Sequence, residues 1–345
     1  MIECLFTIDY EIYGNGTGGL RDLVYEPSRK LVEVFTKHGV RFVPFVEVAE
    51  FARIEAQGTD GAIELVKEQI KDFHRDGFEL GLHLHPQWHR ARYQDGRWHL
   101  DYRLYNLCTL PRQEIEEIVD EALEYLRMIL GEPSFVPLSF RAGNWLFQPT
   151  ATAAAVLRQK GIQLDSSVFK GGRQRNHRLD YRPARRNGYF WQFGANVNVA
   201  ERDGAMVEVP IFSEMVPFWR MCTGKRVGLQ AKGGFASPTF PQRVRRCLDF
   251  CRLRYPMKFD FCRMTLSEMT RMFDRVIAAD RRDPHTYKPI VAIGHSKDLV
   301  DFEAIANFLD YLDQRGIKVC TFKTVLERVL QKSAHSVAPA QHAHH

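Results

Sequence analysis

Short apolar runs rich in β-branched and aromatic residues recur along this chain, and most of them stop on a titratable side chain. Leu5-Phe6-Thr7-Ile8 stops at Asp9, Tyr10 and Glu11. Phe78 to Leu84 carries His83 and hands on to His85, and Phe135 to Phe140 stops at Arg141. Arg41 to Val46 is a further such run, Ile162 to Leu164 stops at Asp165, and Pro289 to Ile293 leads to Gly294 and His295. Between the runs lie stretches with helical apolar spacing, at residues 27–38, 60–74, 111–130, 150–160, 265–279, 302–315 and 323–330. A strand-helix-strand rhythm implies parallel strands joined by right-handed crossovers. The expected architecture is α/β, a single distorted (β/α) barrel over residues 1–332. Residues 170–245, rich in Gly, Asn, Pro and aromatics, break the rhythm and predict a β-containing insertion that shapes a cleft. The tail, 333–345, is rich in Ala and His and is expected to be disordered.

Composition narrows the classes of function. The chain has 345 residues, 48 Lys plus Arg against 42 Asp plus Glu, and a net charge of +6. That is not the concentrated positive field of a protein built around nucleic acid. The arginines at 173, 175, 178, 182, 185 and 186 read as a solvated loop or a pocket rim before they read as a nucleic-acid surface. The Gly-rich stretch 14–19 lacks the Lys-Ser/Thr of a P-loop and follows acidic residues, so a nucleotide cradle is set aside. Seven cysteines, an odd number widely spread, make no disulfide framework, and Cys247, Cys251 and Cys262 lack the second close pair of a zinc cage. No basic n-region or apolar h-region opens the chain and no stretch approaches 18 apolar residues, so the expectation is a cytoplasmic protein with no membrane span. Oligomeric state is left open.

In a (β/α) barrel the C-terminal strand ends converge on one face, where catalytic groups gather. Asp9, Glu11, His83, His85, Arg141, Asp165 and His295 would all be delivered there. His83 and His85 are two apart and point the same way from a strand. With a carboxylate from Asp9 or Glu11 they make a His/His/carboxylate site that leaves a coordination position open, as catalytic zinc sites do. His89 is a further candidate ligand if the segment after His85 turns helical. The competing reading is a hydrogen-bonded histidine network without metal.

The ordered motifs resemble those of the polysaccharide deacetylase family, which includes chitin-oligomer and peptidoglycan deacetylases. The correspondence runs through Thr7-Ile8-Asp9-Tyr10-Glu11, Glu79-Leu80-Gly81-Leu82-His83 with His85-Pro86, Arg141-Ala142-Gly143-Asn144-Trp145, Asp165-Ser166-Ser167, Glu208-Val209-Pro210 and Val291-Ala292-Ile293-Gly294-His295. The resemblance implies a deformed barrel of seven or eight strands and a metal-dependent carbohydrate N-deacetylase, zinc being the expected ion. Its action would be on an amino sugar or conjugate, such as a precursor of surface polysaccharide. It also implies Asp9 as base, His295 as general acid, Arg141 orienting the acidic member, and Asp165 holding His295 or Arg141. Trp88, Asn144 and Trp145 would bind the sugar. The family's second opening Asp, a metal ligand, is Tyr10 here, which leaves Asp9 or Glu11 as the carboxylate ligand. Rival expectations are a hydrolase of another small amide or formamide, and a non-catalytic carbohydrate-binding relative.

Overall fold

The computed structural model describes residues 1–221, 224, 225, 228 and 253–337. Its strands, in chain order, begin with β1 (Ile2–Tyr10), β2 (Val43–Glu47), β3 (Gly81–Leu84), β4 (Arg92–Gln94), β5 (Arg97–His99), β6 (Ser139–Ala142) and β7 (Leu164–Asp165). There follow β8 (Arg173–Gln174), β9 (Leu179–Asp180), β10 (Trp191–Phe193), β11 (Met206–Glu208), β12 (Ser213–Pro217), β13 (Arg254–Lys258), β14 (Lys288–His295) and β15 (Lys318–Val319). The main sheet runs β10-β11-β7-β6-β3-β2-β1-β14, with β15 also on β1. All its pairings are parallel except β10 with β11. The sheet curls until Ile211, just past β11, bridges Phe169 on one side and Val291 of β14 on the other. The alternating rhythm of the sequence thus gives the expected distorted barrel.

The helices are α1 (Glu26–Lys37), α2 (Val48–Gln57), α3 (Ile63–Arg75), α4 (Arg112–Leu130), α5 (Ala151–Gln159), α6 (Leu266–Arg282), α7 (Phe302–Gln314) and α8 (Phe322–Val337). Of these α2 was not expected; its buried Val48, Phe51 and Ile54 are spaced three apart along an otherwise polar segment. The β4–β5 hairpin was also unforeseen. Expected tail residues up to Val337 continue α8; the rest of the tail, the latter part of the insertion, and Cys247 and Cys251 lie outside the described residues. Cys262 is a buried free thiol.

Residue alternation on β1 explains how one strand serves two layers. Phe6, Ile8 and Tyr10 turn outward to the helices, while Thr7, Asp9 and Glu11 face the barrel interior. Phe6 meets Phe35 of α1, Phe261 and Phe308 of α7 edge-on, with ring centroids 5.1, 5.3 and 6.1 Å away. Tyr10 packs on Phe51 and Phe73, and its hydroxyl donates to Gln69 Oε1 at 2.6 Å. A tyrosine fits here because the position belongs to the helical layer.

Phe6 ties β1 to two helices and the segment after β13, so Phe6→Ala should lower the free energy of unfolding by about 3–5 kcal/mol. Chemical denaturation of the variant checks this, and a loss below 1 kcal/mol would contradict the packing.

Candidate active site

Parallel register sets the site. Asp9 lies opposite His295 on β14, Glu47 opposite His83, and His83 opposite Arg141. These side chains converge at the C-terminal end of the barrel, and all of them are buried. Two groups of potential ligands result: Glu11, Glu47, His83 and His85, and Asp9, Glu11 and His295. They share Glu11.

Glu11 Oε2 sits 3.4 Å from His83 Nε2 and 3.0 Å from His85 Nε2, and Glu11 Oε1 accepts from Lys297 Nζ at 2.6 Å. Burial works to raise the Glu11 pKa, but Lys297 and the two imidazoles outweigh it and hold the group well below the usual carboxylate range. Asp9 is placed differently. Its Oδ1 accepts from Arg141 Nη1 at 2.7 Å, and its Oδ2 lies 3.4 Å from His295 Nε2 and 3.9 Å from His83 Nε2. Burial again opposes ionisation, and Arg141, His83 and His295 overcome it, so the carboxyl stays below its ordinary value.

His83 donates from Nδ1 to the Arg141 carbonyl at 2.8 Å, which leaves Nε2 aimed into the cluster. Burial disfavours its charged form, yet Asp9 and Glu11 push its pKa up to about 9. His85 Nδ1 faces the amides of Gln87 (3.1 Å) and Asn144 (3.3 Å). His85 Nε2 therefore carries a proton toward Glu11. Gln87 Oε1 is buried without a hydrogen-bond partner. Turning that amide over makes Oε1 an acceptor for Nδ1–H and frees Nε2 as a ligand. Glu11 Oε2 and His83 Nε2 are likewise buried without hydrogen-bond partners. An unsatisfied buried carboxylate oxygen beside an unsatisfied imidazole nitrogen, with His85 Nε2 3.0 Å from the same oxygen, fits a divalent cation.

Arg141 has no exposure, and its guanidinium also donates from Nε to the Ser166 carbonyl (2.9 Å) and from Nη2 to Thr7 Oγ1 (3.0 Å). Asp165 accepts from Ser167 N at 3.0 Å and Ser167 Oγ at 2.7 Å, and it pairs in register with Glu208. Burial raises the pKa of both acids. Asp165 is thus engaged by Ser167 and Glu208, where an anchor on His295 or Arg141 was expected. His295 is beside Asp9 on the adjacent strand. Burial lowers its pKa, and its Nδ1 lies 3.8 Å from Asp298.

Two expected site residues are elsewhere. His89 follows the short turn Pro86–Trp88, which swings its Nδ1 to 3.1 Å from Glu121 of α4 and out of the cluster. Trp88 is fully buried against Trp98 at 4.9 Å, so it presents no face to a sugar. Asn144 and Trp145 do border the site: both have left-handed backbone, at φ 54° and 60°, and Trp145 meets His295 edge-on at 6.2 Å. Three contributors went unread in the sequence. Glu47 ends β2, a strand whose expected end was Val46; its Oε2 accepts from His85 N at 2.6 Å, and burial pushes its pKa up to about 7. Lys297 binds Glu11. Lys258, last in β13, lies over the Trp145 ring, and burial brings its pKa down to about 7.

No model of a protein family and no curated protein matches this sequence. Solved structures do. A Mycobacterium smegmatis protein provisionally named a polysaccharide deacetylase has 14% identity to this chain, covers 100% of this chain and 94% of its own, and gives a TM-score of 0.53. A 4-alpha-glucanotransferase from Thermococcus litoralis has 10% identity and covers 95% of this chain and 38% of its own, at a TM-score of 0.50. An allantoinase has 13% identity and covers 99% of this chain and 92% of its own, at 0.49. At such identities the likeness is one of fold: this chain has the deformed parallel barrel of the polysaccharide deacetylase structure.

Proposed function

We propose that the chain is a metal-dependent hydrolase that removes an N-acyl group, acetyl above all, from an amino sugar or a sugar conjugate. The observation that carries this reading is the division of labour between two carboxylates, Asp9 near the end of β1 and Glu11 just past it. Glu11 is flanked by two imidazole nitrogens, whereas Asp9 is held by a buried arginine beside a third histidine. The fold likeness to a polysaccharide deacetylase and the ordered motifs support a carbohydrate amide as the substrate.

Glu11, His83 and His85 would hold the ion, zinc in this reading, with Glu47 within reach of the same point. Bound there, the metal supplies Lewis acidity, polarising an amide carbonyl and making water a stronger acid. The protein does the rest. Arg141 fixes Asp9 through Oδ1 and keeps it an anion, so Oδ2 is the free basic oxygen. Asp9 takes the proton of the attacking water. His295, neutral at rest because burial lowers its pKa, stands 3.4 Å from Oδ2 and passes that proton to the leaving amine. Trp145 closes the flank beside His295.

Release of free amine from acetylated amino sugars, read together with metal content and melting temperature, tests the proposal. His295→Ala should keep the metal and the fold and lose roughly 100-fold or more in turnover. Retained turnover per folded molecule with a lowered melting point would make His295 a structural residue only. Glu11→Ala and His83→Ala should lose the metal, and full occupancy in both would refute the ligand assignment.

Metal uptake should also depend on pH. His83 is protonated below about 9 in the metal-free protein and must lose that proton to ligate. The apparent affinity should therefore rise about tenfold per pH unit between 6 and 9 and level off above. Competition with a chelator across that range measures it, and a flat profile would show that His83 is not a ligand.

A further inference from the structure

Where the insertion meets the closing seam of the barrel there is a cavity of about 290 Å³, whose lining shares no residue with the catalytic cluster. Pro289, near the start of β14, is part of its wall, whereas His295 ends that strand. At about 3.3 Å per residue the two lie roughly 20 Å apart. Pro210, Ile211 and Phe212, just after β11, form a further part of the wall, and Tyr189 adds an aromatic ring. This segment closes the barrel: Ile211 bridges Val291, and Phe212 N donates to the Val291 carbonyl at 2.9 Å. The volume is close to the lower bound of roughly 300 Å³ for small-molecule sites.

One cation lines this cavity, Lys170. Its Nζ donates to the carbonyls of Asn187 and Gly188, both on the wall, and lies 5.3 Å from the centre of the Trp191 ring. Two of the three ammonium hydrogens are thereby engaged and one remains. Carbonyls and a ring face hold a cation in place without neutralising it. Among the described residues Lys170 forms no ion pair, and no acid is part of the lining. Glu208 is within electrostatic reach, but burial and the neighbouring Asp165 hold its pKa well above the usual carboxylate range, so it is protonated. Tyr189 stays protonated too, because burial, Asp280 and Asp283 raise its pKa. Burial brings Lys170 down only to about 8, so at neutral pH the amine is mostly charged. A charge withdrawn from water is normally paired, and on this wall the protein supplies no partner.

We propose that this cavity is a binding site for a small monocarboxylate with a compact apolar body, its carboxylate on Lys170 Nζ and its body against Pro210, Ile211, Phe212 and Pro289. A single remaining N–H suits a singly charged acceptor. A phosphate would call for several donors, and no arginine lines the cavity. The apolar body would take water off the proline, isoleucine and phenylalanine surfaces. The site stands apart from the reaction at Glu11 and does not depend on it.

Calorimetry on the metal-loaded full-length protein tests this with benzoate, its neutral isostere benzamide, and acetate. Benzoate should bind with a Kd below about 1 mM. Benzamide should bind at least tenfold more weakly for want of charge, and acetate at least tenfold more weakly for want of a body. Lys170→Met, which keeps an unbranched apolar stem and removes the charge, should weaken benzoate at least tenfold. Glu11→Ala, which strips the metal in the reading above, should leave benzoate binding within twofold. That arm, with the benzamide comparison, keeps the test decisive if Lys170→Met fails to fold, because a carboxylate held by the metal would be lost with it. Benzamide or acetate binding as tightly as benzoate overturns the proposal. So does benzoate binding unmoved by Lys170→Met or abolished by Glu11→Ala, and so does the absence of binding up to about 10 mM.

Discussion

A guanidinium group without access to solvent sits inside this barrel, and much of the structure answers to it. Removing such a charge from water costs several kcal/mol unless its hydrogen bonds are met. Arg141, on β6, meets them on two other segments: Asp9 and Thr7 on β1, and Ser166 just after β7. The same carbonyl that Arg141 contributes to the chain fixes the tautomer of His83. One residue thus holds Asp9 charged, points His83 Nε2 at Glu11, and laces the middle of the sheet. The aromatic ring of Phe45 beneath it, 4.1 Å from the guanidinium carbon, adds cation–π support.

The remaining charges are arranged so that the carboxylates differ in character. Asp9 and Glu11 each have a dedicated cation, Arg141 and Lys297, and stay ionised. Glu47 lacks one and is pushed up to about 7, and Glu50 is held well above its ordinary value by burial, with Glu11 and Glu47 adding to it. The inner pair is therefore available for base and ligand roles, while the outer acids serve as hydrogen-bond partners for the backbone at His85 and Ile12. Environment, rather than residue type, divides the tasks.

The barrel and most of the cluster were legible because both follow from periodicity. Strand-helix alternation gives parallel order, and parallel order places strand ends together, which is why Asp9, Glu11, His83, His85, Arg141 and His295 meet. What was illegible depended on a single residue of boundary or a single turn. Glu47 lay one residue past the expected end of its strand. His89 was displaced by a three-residue turn that no periodicity announces. Lys258 and Lys297 sit where the fold brings distant segments over Trp145 and Glu11, and neither position carries a local signal. The different partners of Asp9 (Arg141 and His295) and Glu11 (Lys297, His83 and His85) likewise come from distant segments that the fold brings together.

Because Asp9 and Tyr10 end β1 and Glu11 follows directly, the two carboxylates and the tyrosine between them are locked in phase. A one-residue slip of β1 would not weaken the site gradually. It would turn the tyrosine into the charged interior and drive both carboxylates among Phe51 and Phe73. Insertions and deletions in this strand are therefore forbidden in a way that substitutions are not. Lineages of this barrel can vary their chemistry at these positions only by exchanging side chains in place.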